Sequence, residues 1–561
     1  MKWIKRNNFN SISELVKHQT HMSEEELLCD KRQFVYPGLN EAVTLLLDHI
    51  KAGTAIRVYG DYDVDGVTSL YILKTMFESV NYKNVSFVAP RRFSDGYGIN
   101  VHRVKDFYDE VSGKKLLITV DNGIAAIQAI KLAKDLGMDV LILDHHEPFV
   151  ENGQVVLPNA DVIVDPHVTG GYVLDDPSHE FKDLCGAGLS YRFACEVLKR
   201  YKPLTDSQRE ETLSKLICAA ALGTVADLVS LTDDNRIIVK EGIKAIASGK
   251  APIGLRALIR ALNLNTINAS SIAFSIAPCI NASGRLYDDG ADQMVTLLSY
   301  PGEITDEELT KMAEDAKKTN DERKTLTREA VARAEDYMSK RLSDNVIVIL
   351  DEMLSSGIAG LVASALVEEF FRPAIVLSKG PVLLKGSGRS IEGVNLKGLL
   401  DESSAYLEGY GGHPMAAGVS LKPENLDSFR KAICDIAPEP KEHDIYYDIE
   451  CKPSVSALQE LLSEYNKYEP YGSGNPAPVI MIPGILLGDK LGNTSRIIGS
   501  EKTHVKLITS LGFDIVWFDG AAAYKLLGEP KKVDIIGTIG LNTFNGKTTI
   551  QVQVKHLRRS V

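Results

Sequence analysis

Residues 58–69 read VYGDYDVDGVTS, with Asp61, Asp63 and Asp65 at every second position between a β-branched run and Gly66. Three carboxylates in one turn repel each other unless they take up protons, disperse or share divalent cations. The EF-hand loop also begins Asp-x-Asp-x-Asp-Gly, but it needs a glutamate at its twelfth position and a helix on either side. Counting from Asp61, that position is Ile72, and a strand-like run precedes the turn, so the calcium-loop reading fails. A capping or turn role would account for one or two of the aspartates, but not for three.

Working outward, short β-branched runs alternate with amphipathic stretches: TAIRVYG, VTSLYILKTMFESV, VSFVAP, KLLITVD, IAAIQAIKLAKDLG, VLILDHH and DVIVDP. Continuous apolar strands separated by helices predict a parallel sheet covered on both faces. Ligands of such sheets bind beyond the carboxyl ends of the strands. Here those ends carry Asp61, Asp121, and Asp144 with His145 and His146, while Asp227 follows an alanine-rich helical stretch in ALGTVADLVSL. Mixed aspartate and histidine ligation suits Mn²⁺ or Mg²⁺ better than Ca²⁺, and two such cations about 3.5–4 Å apart would share the carboxylates.

Further along, PGEITDEEL marks a helix start: Thr305 caps it with Glu308 three residues on, and Ile304 and Leu309 form a staple. The charged pattern runs on to about Arg341, a helix of roughly 55 Å that is long enough to bridge two domains. A second α/β pattern covers 345–435, and the residues after the linker candidate APEPKEHD (437–444) are mostly strand-like. Asn545-Gly546 between the last two strands predicts a tight hairpin, and the whole suits a small barrel. KHLRR (555–559) reads as a solvated tail.

The net charge of −12 excludes a protein that coats nucleic acid through bulk positive charge but leaves room for a local basic groove. Seven cysteines without a C-x-x-C pair read as buried thiols in a reducing compartment. With no long apolar run and no signal sequence, the expectation is a cytoplasmic protein with no membrane contact.

GDYDVDG, TVDNGI, LDHHEP and ALGTVADLVSL resemble the four motifs of the DHH phosphoesterase superfamily, in the order and spacing of its RecJ branch of single-strand-specific exonucleases. RRFSDGYGIN, INASGRL, KGSGRS, GYGGHPMAAG, EPYGSGNPAPV and LNTFNGKTTIQVQV are similar to further signatures of that branch. The resemblance implies an α/β fold: a parallel-sheet DHH domain joined by a long helix to a smaller α/β DHH-associated domain, followed by a C-terminal OB-fold β-barrel. The expected divisions are 1–240 for the DHH domain with an N-terminal extension, 241–342 for a helical region and connecting helix, 343–436 for the DHH-associated domain and 437–561 for the OB-fold.

By the same resemblance, Asp61, Asp63, Asp65, Asp121, His145, His146 and Asp227 would hold two divalent cations, Mn²⁺ or Mg²⁺. Asp144 would orient a histidine, completing a catalytic group with His145 and His146. Arg92, Tyr97, Arg285, Arg389, Ser390 and His413 would face the DNA, several of them around a terminal 5′ phosphate. Arginine forks and flexible glycine backbone also suit phosphate contacts on chemical grounds. The implied activity is release of 5′ mononucleotides from single-stranded DNA in repair or recombination, by a monomer served by a helicase or single-strand-binding protein. A phosphodiesterase for short oligonucleotides or cyclic dinucleotides, and a non-catalytic replication scaffold, are the alternatives. The chain departs from the family pattern at Ser355, Ser356 and Ala365, where a Trp-His pair and an arginine are usual, at Cys279, where an arginine is common, and in VDPH (164–167), where an asparagine is usual.

Overall fold

The run Ala55–Tyr59 (β1) is buried at every position, as a strand covered on both faces must be. The computed structural model describes residues 2–29, 31–151, 153–300, 305–338, 344–439, 444–489, 492–499, 502–544 and 547–560. After β1 come α1 (Val64–Ser79), β2 (Val85–Val88), β3 (Lys115–Val120), β4 (Asp139–Leu143) and β5 (Val162–Val164). The sheet order is β2-β1-β3-β4-β5, and every pairing is parallel. The chain winds one way from β1 to β2 and the other way from β3 onward, so a crevice opens beyond the carboxyl ends of β1 and β3.

α1 is buried at every residue from Val64 to Leu73, the pattern of a helix enclosed on all sides. The sheet lies on one side, with α2 (Gly186–Arg200) and α3 (Asp206–Ala226) on the other. Residues of α4 (Ala277–Leu286) and the first turns of α5 (Asp306–Met338) join the same core through Ala277, Ile280, Leu309 and Ala313. The far end of α5 gives Ala330, Ala334 and Met338 to a second core shared with Ile347 and Ile349. α5 therefore bridges two cores over 33 residues, about 50 Å at 1.5 Å each. The side chain of Thr305 accepts from the Glu308 amide at 3.2 Å and Glu308 returns a bond to the Thr305 amide at 2.8 Å, as the motif predicts. Ile304 and Arg341 lie outside the described residues.

The second domain is a mixed sheet of β6 (Ile347–Leu350), β7 (Ala374–Lys379), β8 (Leu384–Arg389), β9 (Gly409–His413) and β10 (Ala416–Leu421). Its order is β6-β7-β8-β10-β9, parallel only between β6 and β7, and the helix Ala359–Phe370 packs on it. Between Ile449 and Arg559, seven strands form one sheet around a core that includes Ile482, Ile515 and Ile535. KHLRR is part of the last strand, Lys547–Arg559, not a solvated tail: Arg558 meets Asp534 at 3.0 Å and lies 4.2 Å over the Trp3 ring. The tight turn expected at Asn545-Gly546, and residues 440–443 of the linker candidate, lie outside the described residues, although the two flanking strands do pair antiparallel.

The first residues of the N-terminal extension pack on the C-terminal domain, while Phe34–Val35 pairs with Tyr172–Val173 of the first. Trp3–Lys5 pairs in parallel with Ile445–Tyr447, and Ile12, Leu15 and Val16 share a core with Ile449 and Tyr468. Buried Arg236 fastens the junction, donating to the carbonyls of Leu27 (3.0 Å), Tyr468 (3.0 Å), Glu469 (2.8 Å) and Pro470 (3.2 Å). Each buried carbonyl left without its donor costs about 1–3 kcal/mol. Arg236→Met is therefore expected to destabilise the chain by at least about 3 kcal/mol, read as a lower urea midpoint, with the junction at residues 27 and 468–470 gaining amide exchange before the parallel sheet does.

Candidate metal centre

The centre forms where the topology opens the crevice. β1 ends at Tyr59, and the chain turns so tightly through Asp61 that a Cβ on Gly66 would stand 2.4 Å from the Asp61 carbonyl oxygen. Asp63 caps α1 by accepting from the Gly66 amide at 3.1 Å, and the Asn281 side chain accepts from the Val64 amide at 3.2 Å. In the first turn of the helix, the Asp65 carboxylate accepts from the amides of Gly186 (2.6 Å) and Ala187 (2.8 Å) at the start of α2. A helix N-terminus carries unpaired N–H groups and a positive partial charge, so it holds this buried carboxylate in place. Space for it depends on glycine: a Cβ on Gly223 of α3 would lie 2.6 Å from an Asp65 oxygen and 2.4 Å from the Ala187 Cβ.

At the end of β3, Asp121 takes a left-handed backbone with φ 59°. Its neighbour Asn122, fully buried, donates to the carbonyls of Tyr59 and Val120 and accepts from the Ile99 amide, tying the ends of β1 and β3 to the loop that carries Tyr97. After β4, Asp144 accepts from the amides of Ile124 (2.8 Å) and His145 (2.8 Å), and its Oδ1 meets His146 Nδ1 at 2.7 Å. His145 Nε2 stands 3.1 Å from Asp121, 3.6 Å from Asp65 and 3.8 Å from Asp227. The potential ligand atoms fall into three overlapping sets, each within 4.8 Å: Asp61, Asp63 and Asp121; Asp121, His145 and His146; Asp65, His145 and Asp227. All seven candidate ligands thus converge, with Asp144 behind them.

Burial pushes Asp61 and Asp121 well above the usual carboxylate range, and neighbouring aspartates push the same way. Burial, then Asp65, also raises Asp63, and Asp227 is lifted to about 9. Burial lowers His145. Burial works against protonated His146 too, but the hydrogen bond and charge of Asp144 outweigh it and raise that ring to about 9. The buried Asp61 Oδ1 has no hydrogen-bond partner, and the donor set combines carboxylate oxygens with imidazole nitrogens. Both observations fit Mn²⁺ or Mg²⁺.

Around this centre stand guanidinium groups. Arg92 lies 4.6 Å over the Tyr62 ring, and Arg285 donates to the Gly357 carbonyl at 3.2 Å across the junction with the second domain. Arg389 donates to Ser387 and the Gly388 carbonyl. Sequence reasoning missed a fourth, Arg323 on α5, whose Nε is held by Asn320 at 3.0 Å. Among the described residues none of the four meets a carboxylate, in a chain of net charge −12. Burial and then repulsion from Arg92 and Arg323 lower Arg285 to about 10.

Tyr97 is 54% exposed, so it is no core residue, and its hydroxyl meets His146 Nε2 at 2.9 Å. Ser390 is buried, and its hydroxyl donates to the Val394 carbonyl at 2.7 Å, which closes a loop and leaves no proton for a phosphate. Exposed His413 ends β9 opposite Ala416, which in turn faces Arg389, so it shares a sheet row with that arginine. Of the departures from the family pattern, Cys279 lies in the core, accepting from Asn320 at 3.3 Å, and Ser355 caps a short turn. Ala365 sits one turn beyond Leu361, which lines the cleft. Asp165 of VDPH caps a short helix by accepting from the His167 amide.

This combination is the one expected of the DHH family. The model of the DHH family N-terminal domain matches residues 55–224, the DHHA1 domain matches 324–439 and the RecJ OB domain matches 447–556. The single-stranded-DNA-specific exonuclease RecJ of Salmonella typhimurium is 32% identical over 418 residues, 72% of this chain and 69% of that protein. Its Bacillus subtilis counterpart is 33% identical over 536 residues; these cover 93% of this chain, which spans only 63% of the length of that relative. The crystal structure of Thermus thermophilus RecJ in complex with Mn²⁺ superposes with a TM-score of 0.77 at 26% identity, covering 98% of this chain and 76% of that one. A Mg²⁺ complex of the same protein has a TM-score of 0.70 at 25% identity, over 98% and 75% of the two chains. The chain belongs to the RecJ family.

Gly186, Gly223, Asn122 and Asn281 escaped the sequence reading because they carry no charge, and Arg323 because it lies in the charged run NDERK (320–324). Gly223→Ala is expected to displace Asp65 and weaken Mn²⁺ binding by at least about ten-fold, measured by titration calorimetry. Asp227 offers a pH test. Its ordinary value is 3.8 and its folded value about 9, so the metal-free native state binds more protons than the unfolded chain between the two. Metal-free protein should therefore lose stability as pH rises across that window. Mn²⁺ should flatten the slope in a series of thermal melts.

Proposed function

We propose that this chain is a metal-dependent exonuclease that shortens single-stranded DNA from its 5′ end, releasing 5′ mononucleotides, in repair or recombination. The observation that carries the reading is the junction of a seven-ligand acidic and imidazole centre with four arginines that meet no carboxylate among the described residues. One side of that junction suits divalent cations and the other suits phosphates. The names of the relatives supply the single-stranded substrate, and the family resemblance supplies the polarity.

When bound, the divalent cations supply Lewis-acid stabilisation of the phosphate and an activated water. The chain's own residues do the rest. Asp65, pinned by the α2 amides, and Asp121, fixed by its strand end, set the position of the ligands before substrate arrives. Asp144 takes the proton of His146 Nδ1 in a hydrogen bond, which turns Nε2 toward the centre. Arg92, Arg285, Arg323 and Arg389 hold successive backbone phosphates, and Tyr97 borders the reacting phosphate from the loop tied down by Asn122. The cleft between the two α/β domains admits one strand, and the C-terminal domain carries the strand further by stacking and charge. The protein acts as a cytoplasmic monomer on strands exposed by a helicase or single-strand-binding partner.

The test is a Mn²⁺ assay on 5′-labelled and 3′-labelled single strands, a blunt duplex and an RNA dinucleotide. Label should leave the 5′-labelled strand first, as a mononucleotide, and Asp65→Ala should slow that by at least about a hundred-fold. Faster turnover of the dinucleotide or the duplex would overturn the substrate assignment. Early loss of the 3′ label would overturn the polarity.

A further inference from the structure

Beyond Asp227 the cleft wall changes character. A cavity of about 140 Å³ opens there, with Asn281, Arg285 and Arg323 on its lining together with Leu228, Pro278 and Leu361. It is therefore part cationic and part apolar. Leu228 on its apolar side is held there at a cost, and an exposed aromatic, Phe274, directly follows Ala273 of the same lining. Leu228 directly follows Asp227, is 70% exposed and adopts φ 64°, a left-handed conformation unfavourable for any side chain larger than that of glycine. Phe274 is 79% exposed on a π-helical turn, Ile272–Ile276, one turn before Pro278. Single π turns concentrate at functional sites, and strained backbone persists only where the surroundings hold it.

We propose that this cavity seats one nucleobase of the bound strand, with Phe274 as the stacking platform, Leu228 as a second apolar contact, and Arg285 and Arg323 on the attached phosphate. The proposal deepens the nuclease reading and rests on it. A cavity of about 150 Å³ takes one benzene ring, so this one has the size of a single ring system. Asn320 holds Arg323 by Nε alone, which leaves its terminal nitrogens for phosphate oxygens. Every base has a π face, so stacking on phenylalanine selects no sequence. It does select unpaired bases, because a base inside a duplex has both faces covered. Phe274 is thus a positioning residue that contributes to single-strand selectivity.

Phe274→Ala and Phe274→Tyr would be assayed on oligonucleotides in which one abasic site is walked through the first several positions. With intact strands, the alanine variant should raise KM about ten-fold with kcat within about two-fold, and tyrosine should restore it. In the unaltered protein one abasic position should cost a similar factor, and the alanine variant should lose nothing more there. An unchanged KM in the alanine variant, or abasic losses of the same size in both proteins at every position, would overturn the base seat. Anisotropy titrations of the same oligonucleotides in EDTA separate the two readings. Binding with one sensitive position but no cleavage would sink the nuclease and keep the seat. Cleavage without any sensitive position would do the reverse.

Discussion

Everything in the active half of the molecule depends on holding together carboxylates that repel each other. The fold does so by placing them where the parallel sheet reverses its strand order, at the ends of β1, β3 and β4. Backbone amides of α2 and the side chains of Asn122 and Asn281 then fix the acids one by one. Burial, and then repulsion from neighbouring aspartates, pushes Asp61, Asp63, Asp121 and Asp227 toward their neutral forms. Divalent cations held by these ligands would offset the gathered negative charge. The arginines of the cleft, which meet no carboxylate among the described residues, are the same design with the sign reversed.

Much of this was legible in the sequence because it lies in contiguous motifs. The β-branched runs predict the parallel sheet, and the acids at their ends predict the centre. The Thr305 capping box marks the start of the bridging helix where the structure has it. What stayed hidden depends on residues distant in sequence. Arg323 looks like any solvated charge on a polar helix until α5 is packed beside Arg285. Gly223 reads as a weak point in a helix, yet it is the gap into which Asp65 fits. The family resemblance gives Ser390 a place facing the DNA, and only the packed structure shows its hydroxyl donating to the Val394 carbonyl.

The second domain and the C-terminal sheet show where composition misleads. KHLRR seemed a free basic tail, but strand pairing and the Asp534 and Trp3 contacts absorb it. Cys279, at a position where the family pattern suggests an arginine, faces Asn320 inside the core and not the cleft. A missing guanidinium there removes nothing from the cleft wall, whose cationic lining comes from Arg285 and Arg323.

The pairing of Trp3–Lys5 with Ile445–Tyr447 bears on how the chain is made. A ribosome delivers residues in order, so the earliest strand must wait, unpartnered, for more than 400 residues before its mate emerges. Meanwhile the parallel sheet and its acidic turn can assemble, because every strand they need lies between residues 55 and 164. Closure of the N-terminal segment by Arg236 can therefore follow only once the chain has been translated through Pro470.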